Sequence, residues 1–342
     1  MKIISSIIKI FIFNLITFTT IIIIIEIFFG NWFKNNFNLR LSSERNINRI
    51  YNFNFSNHKG YSHYIRDNNG FRVDQKEIDP EMINIVFAGG STTNQKFLNY
   101  NETIVGILDN QIKEYKIVNS GVDGMSIKGH INSFKYWYNK IDNLKPSYYI
   151  FYIGVNDPYL FSSNQKKNID NLTESSFEEK IREYLESNSF FYKQFRIIKS
   201  SLFLYFGFKK GANVVNKKTV VYSERSKNEF KSYEEFEGSL INQNYSNMYN
   251  TYLNELTNET IRSGSKIIYI TQTSGYGMNE DLYLIAKSII KHCKEFNLLC
   301  LNLAKELKLE YNDFYDHLHL NREGSKKVAE YLHENLLKLL TN

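Results

Sequence analysis

A single serine is the natural starting point for the chemistry of this chain. The apolar run Ile83-Asn84-Ile85-Val86-Phe87-Ala88 ends in Gly89-Gly90, and Ser91-Thr92-Thr93 follows. A run of that length reads as a buried strand of a parallel sheet. The glycines let the backbone turn sharply and leave the next side chain uncrowded. Ser91 is thereby set at the carboxyl end of a strand and near a helix N-terminus, where open α/β sheets keep their ligand sites. It is the candidate nucleophile. A serine hydroxyl attacks poorly until a neighbouring imidazole takes its proton, so partners must be sought elsewhere in the chain. Taken alone, Ser91 or Thr92 also reads as the cap of the following helix. A phosphate-binding loop is unsupported, because no Gly-Lys-Ser/Thr follows and no G-x-G-x-x-G is present.

Three further segments stand where the carboxyl ends of parallel strands would converge with Ser91. Asn119-Ser120-Gly121-Val122-Asp123-Gly124-Met125-Ser126 follows a second strand, and Gly154-Val155-Asn156-Asp157 follows a third. Asp316-His317-Leu318-His319 comes just before the final helix. Each segment has a bland reading too. Gly121 and Gly124 suit turns, Asn156 and Asp157 before Pro158 are ordinary loop formers, and a histidine before a helix is often a solvated cap.

Taken together, in this order, the four segments resemble the four blocks of the SGNH (GDSL-type) hydrolases, and the resemblance runs from about residue 83 to 340. It departs from the family pattern at one point: Ser91 follows Gly89-Gly90, where the family has Gly-Asp. Membrane-anchored relatives share that departure together with a Gly-Phe-Arg segment upstream, which Gly70-Phe71-Arg72 matches. The resemblance implies that Ser91 attacks an ester carbonyl, with His319 as general base and Asp316 as its orienting carboxylate. It implies oxyanion donors in the backbone N–H groups of Ser91 and Gly124 and in the side-chain amide of Asn156. It also implies a three-layer α/β/α sandwich on a parallel, flavodoxin-like five-stranded sheet. His317, beside Asp316, is expected to point elsewhere. No organic cofactor or metal is implied.

The elements that must position these residues follow from the pattern of the chain. Strands are expected near 83–88, 116–119, 147–153, 266–271 and 298–302, and helices near 100–114, 128–141, 245–263, 279–296 and 322–340. Their alternation implies a parallel sheet covered on both faces. In the last helix Val328, Leu332, Leu336 and Leu339 recur at helical spacing and should face the sheet.

Ahead of this domain, Ile10 to Phe29 is almost wholly apolar, with Glu26 near its far end and Lys2 and Lys9 before it. About twenty such residues span a bilayer. No small-x-small cleavage site follows, which favours an uncleaved anchor over a signal peptide. Lys34, Arg40, Arg45 and Arg49 on the other side leave the charge count close, and an extracytoplasmic catalytic domain is the working expectation. The expected division is an anchor over 1–30, a linker and accessory segment over 31–80 with a hairpin turn at Asp67–Arg72, and the hydrolase domain over 81–342. An insertion at about 159–243 interrupts it and is too long for a plain crossover. Within the insertion Phe191, Phe195, Ile198, Leu202 and Tyr205 share one helical face, and Lys193, Arg196 and Lys199 lie on another. That pattern suits either a cover packed on the core or a helix lying in a membrane interface.

Composition bounds the rest. A net charge of +6 without a basic block gives nucleic-acid binding little support. Cys293 and Cys300 make neither a disulfide framework nor a zinc site; two buried free thiols are the expectation, with a bridge as the alternative. The seven histidines show no H-E-x-x-H spacing. The functional expectation is therefore a membrane-anchored serine esterase acting on short acyl groups, acetyl in particular, of a small acylated molecule, a carbohydrate or a cell-envelope polymer. Two alternatives stay open: an O-acyltransferase using the same residues on a surface polysaccharide, and an inactive anchored binding protein on the same fold. The sequence leaves the oligomeric state undetermined.

Overall fold

The computed structural model describes residues 2–33, 45, 47–55, 57–74, 77–160, 231–237 and 243–341, with scattered positions of 181–198. The chain divides into two compact units. One comprises 1–43 and 174–213, the other 44–173 and 214–342. Most of the insertion, including Leu202 and Tyr205, lies outside the described residues.

The larger unit is built on a sheet of eight strands: β1 (Ile47–Asn54), β2 (Lys59–Arg66), β3 (Arg72–Val73), β4 (Ile85–Gly89), β5 (Ile117–Asn119), β6 (Tyr148–Tyr152), β7 (Lys266–Ile270) and β8 (Leu299–Leu301). Their spatial order is β1-β2-β3-β5-β4-β6-β7-β8. The last five in that order are mutually parallel. Numbered among themselves they run 2-1-3-4-5, the flavodoxin-like order, whose switch point falls between β4 and β6. The five parallel strands match the expected positions to within two or three residues. Joined to them is a feature the reading of the sequence left as an accessory segment: β1, β2 and β3 extend the sheet antiparallel, with Arg72 opposite Asn119.

The central strands β4 and β6 are buried along their whole length, as unbroken apolar runs in a parallel sheet must be. Helices cover both faces. Against one face lie α3 (Ile104–Gln111) and α8 (Arg322–Thr341); against the other lie α4 (Ile127–Tyr136), α5 (Gln243–Arg262) and α6 (Glu280–Phe296), and the short α7 (Leu303–Glu306) follows β8. The first face joins Ile85, Phe87, Ile150 and Ile268 to Val328, Leu332, Leu336 and Leu340 in one core. Leu340 rather than Leu339 completes the buried stripe of α8, and Leu339 packs at its margin.

The cysteines correct an expectation. Asn297 ends α6 in the left-handed conformation (φ 51°) and turns the chain directly into β8. That brings the Cα atoms of Cys293 and Cys300 to 6.3 Å, and the two side chains are bonded as a disulfide rather than left as free thiols.

In the smaller unit, α1 runs from Lys2 to Phe29. Its stretch Ser6–Phe29 has mean hydropathy 2.4 and contains no buried residue. At 1.5 Å per residue its 24 residues extend about 36 Å, enough to cross a bilayer.

Candidate active site

Ser91 opens a four-residue helical turn, α2 (Ser91–Asn94), directly after β4. Its Oγ lies 2.8 Å from Nε2 of His319. On the far side of the imidazole, Nδ1 is 2.9 Å from both carboxylate oxygens of Asp316. The Asp316 Oδ1 also accepts from the backbone N–H groups of Leu318 and His319, at 2.9 and 2.8 Å, so the turn that carries the histidine closes on the carboxylate itself. Burial pushes the Asp316 carboxyl up, but the hydrogen bond and charge of His319, together with the two backbone donors, outweigh it and hold the group below its ordinary value. The D-x-x-H spacing therefore produces an acceptor fixed in its ionised form behind the imidazole. His317 points away, its ring stacked on Tyr276 at 5.8 Å.

The three segments at the ends of β4, β5 and β6 meet at the switch point. Asn156 is buried and donates from Nδ2 to the carbonyl of Met125 at 3.0 Å, which leaves the second N–H of its amide for another acceptor. A Cβ placed on Gly90 would come within 2.2 Å of that Nδ2. The Asn156 amide thus lies against the backbone that immediately precedes Ser91, in space that only glycine leaves open. Gly124 has φ +75°, the left-handed region that favours glycine, and it directly precedes the Met125 that Asn156 binds. Asp157 ties the same segment to two helices, accepting from the N–H of Ile127 at 2.8 Å and the hydroxyl of Tyr249 at 2.6 Å.

Several supporting residues escaped the reading of the sequence. Gln272, just after β7, donates to Thr92 Oγ1 (2.8 Å) and accepts from the N–H of Val155 (2.9 Å), linking the neighbours of Ser91 and Asn156. Arg66 and Arg72, both buried, tie down the backbone of the loops around the site. Arg72 donates to the carbonyls of Asn94, Gln95 (2.7 Å) and Leu98. Arg66 donates to the carbonyls of Gly70 (2.9 Å) and Gly121 (2.8 Å). Burial lowers the Arg72 guanidinium to about 10, which still leaves it charged at neutral pH. Asp123 binds Asn94 Nδ2 at 2.8 Å and pairs with Lys96. Tyr315 stacks parallel on His319 with ring centroids 5.5 Å apart, and rests on an aromatic cluster of Phe55 and His58 from the β1–β2 hairpin and Phe97 from the loop after α2. In the sequence this layer shows only as Gly70-Phe71-Arg72, at the end of the expected hairpin turn.

Comparison with known proteins follows the same line. The family model described as GDSL-like Lipase/Acylhydrolase matches residues 35–332. No curated protein matches the chain. Among solved structures, a lipolytic protein of the G-D-S-L family from Veillonella parvula superposes with TM-score 0.41 at 13% identity, covering 74% of this chain and 97% of its own. A catalytic mutant of an acetylxylan esterase from Geobacillus stearothermophilus gives 0.41 at 14%, covering 74% and 93%. The psychrotrophic esterase EstA from Pseudoalteromonas gives 0.40 at 11%, covering 76% and 99%.

Proposed function

The chain belongs to the GDSL-like lipase/acylhydrolase family and is a serine ester hydrolase; on that premise we propose that it is membrane-anchored and removes short acyl groups, acetyl in particular, from a carbohydrate or cell-envelope polymer. One observation carries the assignment of residues: the continuous hydrogen-bonded line from Ser91 Oγ through His319 to Asp316. Ser91 Oγ attacks the acyl carbonyl as its proton passes to His319 Nε2, and Asp316 stabilises the imidazolium that forms. The tetrahedral oxyanion is received by the N–H groups of Ser91 and Gly124 and by the free N–H of Asn156; each such donor is worth ~10²–10³ in rate. His319 then returns its proton to the departing alcohol, the acyl group stays on Ser91, and a water activated by the same imidazole releases it.

The anchor assignment draws on the length and hydropathy of α1. With Lys2 and Lys9 at its start, it favours a hydrolase domain on the extracytoplasmic side. The Cys293–Cys300 disulfide supports that side, because such bridges persist in oxidising compartments.

The test is acetate release from an activated acetyl ester by the full chain in detergent, with Ser91→Ala beside it and both checked for folding. Release that vanishes in the variant supports the assignment; equal background rates in both overturn it. Addition of an acetylated donor and a saccharide acceptor identifies a transferase, which would acylate the acceptor without releasing acetate.

A further inference from the structure

We propose that residues 189–198 form a second membrane-contacting element, held at the end of α1 by Glu26 and lying in the bilayer interface with Phe191, Phe195 and Ile198 among the lipids. This rests on the reading of α1 as a membrane span.

The argument begins with Glu26, an acid in the last turn of an apolar helix. A carboxylate at that depth is costly unless its oxygens are satisfied. They are. Glu26 accepts from Ser189 Oγ at 2.5 Å, from the backbone N–H groups of Phe190 and Phe191 at 2.9 and 3.0 Å, and from Trp32 Nε1 at 2.8 Å. Phe190 and Phe191 open a helical segment whose described positions are 190–192, 194, 195 and 198, and the first backbone N–H groups of a helix have no partner within it. Glu26 supplies that cap from a distant part of the chain. Ser189 assists, its Oγ accepting from the N–H of Tyr192 at 3.0 Å. Three further contacts fix the same junction: the Asn31 N–H donates to the Asn188 carbonyl at 2.8 Å, Phe29 meets Phe190 at 5.5 Å, and Trp32 meets Tyr184 edge-on at 5.7 Å. The helical run is thereby attached where α1 ends, at the level of the polar boundary of a bilayer that α1 crosses.

The exposed side of this junction is apolar. Phe191, Phe195 and Ile198, spaced i, i+4 and i+7 on one helical face, are 37, 62 and 57% exposed. Phe28 and Phe33, flanking the end of α1, are 77 and 83% exposed. Such a cluster on a water-facing surface is unfavourable. Its continuity with the lipid-exposed surface of α1 identifies what covers it. In the sequence Lys193, Arg196 and Lys199 alternate with the apolar positions, the composition of a helix that lies in an interface.

The test uses the full chain in vesicles of phosphatidylcholine and phosphatidylglycerol, with and without lipids brominated near the headgroup end of the acyl chain. Phe195→Trp adds one indole, whose emission is obtained by subtracting the parent protein. Brominated lipid should quench the added emission at least twofold, and Glu26→Ala, with helix content unchanged by circular dichroism, should remove most of that quenching. Added emission that is insensitive to bromine while Trp32 is quenched would overturn the proposal and leave the anchor intact. Loss of vesicle association, with Trp32 also unquenched, would overturn the anchor and the proposal with it.

Discussion

Replacing Gly90 by alanine should disable the site and leave the protein folded. The added Cβ would sit 2.2 Å from Asn156 Nδ2, and ordinary contact begins at 3.4 Å, so the amide must retreat by about 1.2 Å. After the Asn156 amide carbon at 3.4 Å, the next neighbour is the Met125 carbonyl at 3.5 Å, already in ordinary contact. Gly90 has a negative φ, which alanine can adopt, so the strain falls on one flexible side chain rather than on the backbone. A displacement of about 1 Å in a positioned group can cost ~10²-fold, or about 2.7 kcal/mol of transition-state stabilisation. Gly90→Ala should therefore lower kcat by roughly that factor with the unfolding midpoint nearly unchanged. Asn156→Ala should cost ~10²–10³. The decisive variant is the double one. Because both changes remove the same donor, Gly90→Ala with Asn156→Ala should be no slower than Asn156→Ala alone, measured as ester hydrolysis under saturating substrate. Two effects that multiply in the double variant would refute the idea that Gly90 exists to make room for the Asn156 amide.

Three other outcomes are expected. Cys293→Ser with Cys300→Ser opens a short loop of sequence separation 7, which should cost about 2–3 kcal/mol and lower the melting temperature by roughly 5–10 °C in calorimetry; an unchanged melting temperature would contradict it. Arg72→Met strands three interior carbonyls and should cost at least about 3 kcal/mol in urea unfolding, with Arg72→Lys recovering only part, because an ammonium lacks the fork that reaches all three. His130 is fully buried, with both ring nitrogens unpartnered among the described residues, and burial lowers it from 6.5 to about 3. The unfolded chain binds this proton below 6.5 and the folded one does not, so its contribution to stability is full above that pH and declines towards 3. At about pH 5 the loss is about 2 kcal/mol, and His130→Leu should show a correspondingly flatter acid limb in urea titrations at pH 7 and 5.

The parallel half of the sheet was legible because its strands are unbroken apolar runs and its helices carry apolar stripes, both local signals. The four segments that build the site were legible for a related reason: each follows directly from the end of a strand or precedes a helix, so their convergence depends on the topology alone. The extension by β1, β2 and β3 was not. Ile47, Tyr51 and Phe53 do alternate with exposed residues, but the surrounding asparagines hide the period, and β3 joins the sheet through a single pairing of Arg72 with Asn119. The buried arginines were hidden more deeply. Their partners are backbone carbonyls at Asn94, Gln95, Leu98 and Gly121, which no side-chain pattern announces. The disulfide hinged on the left-handed turn at Asn297, a conformation asparagine tolerates but does not dictate. The docking of Phe190 and Phe191 on Glu26 joins positions 164 and 165 residues apart, beyond any local reading.

The most direct test of the central claim is to treat the purified chain with a fluorophosphonate, which forms a covalent bond only with an activated hydroxyl, and to locate the adduct by peptide mass spectrometry. Ser91 should be labelled to near one equivalent in step with loss of esterase activity, and His319→Ala should slow that labelling by ~10³-fold or more. An adduct on another residue, or labelling of Ser91 at the same rate without His319, would contradict the account.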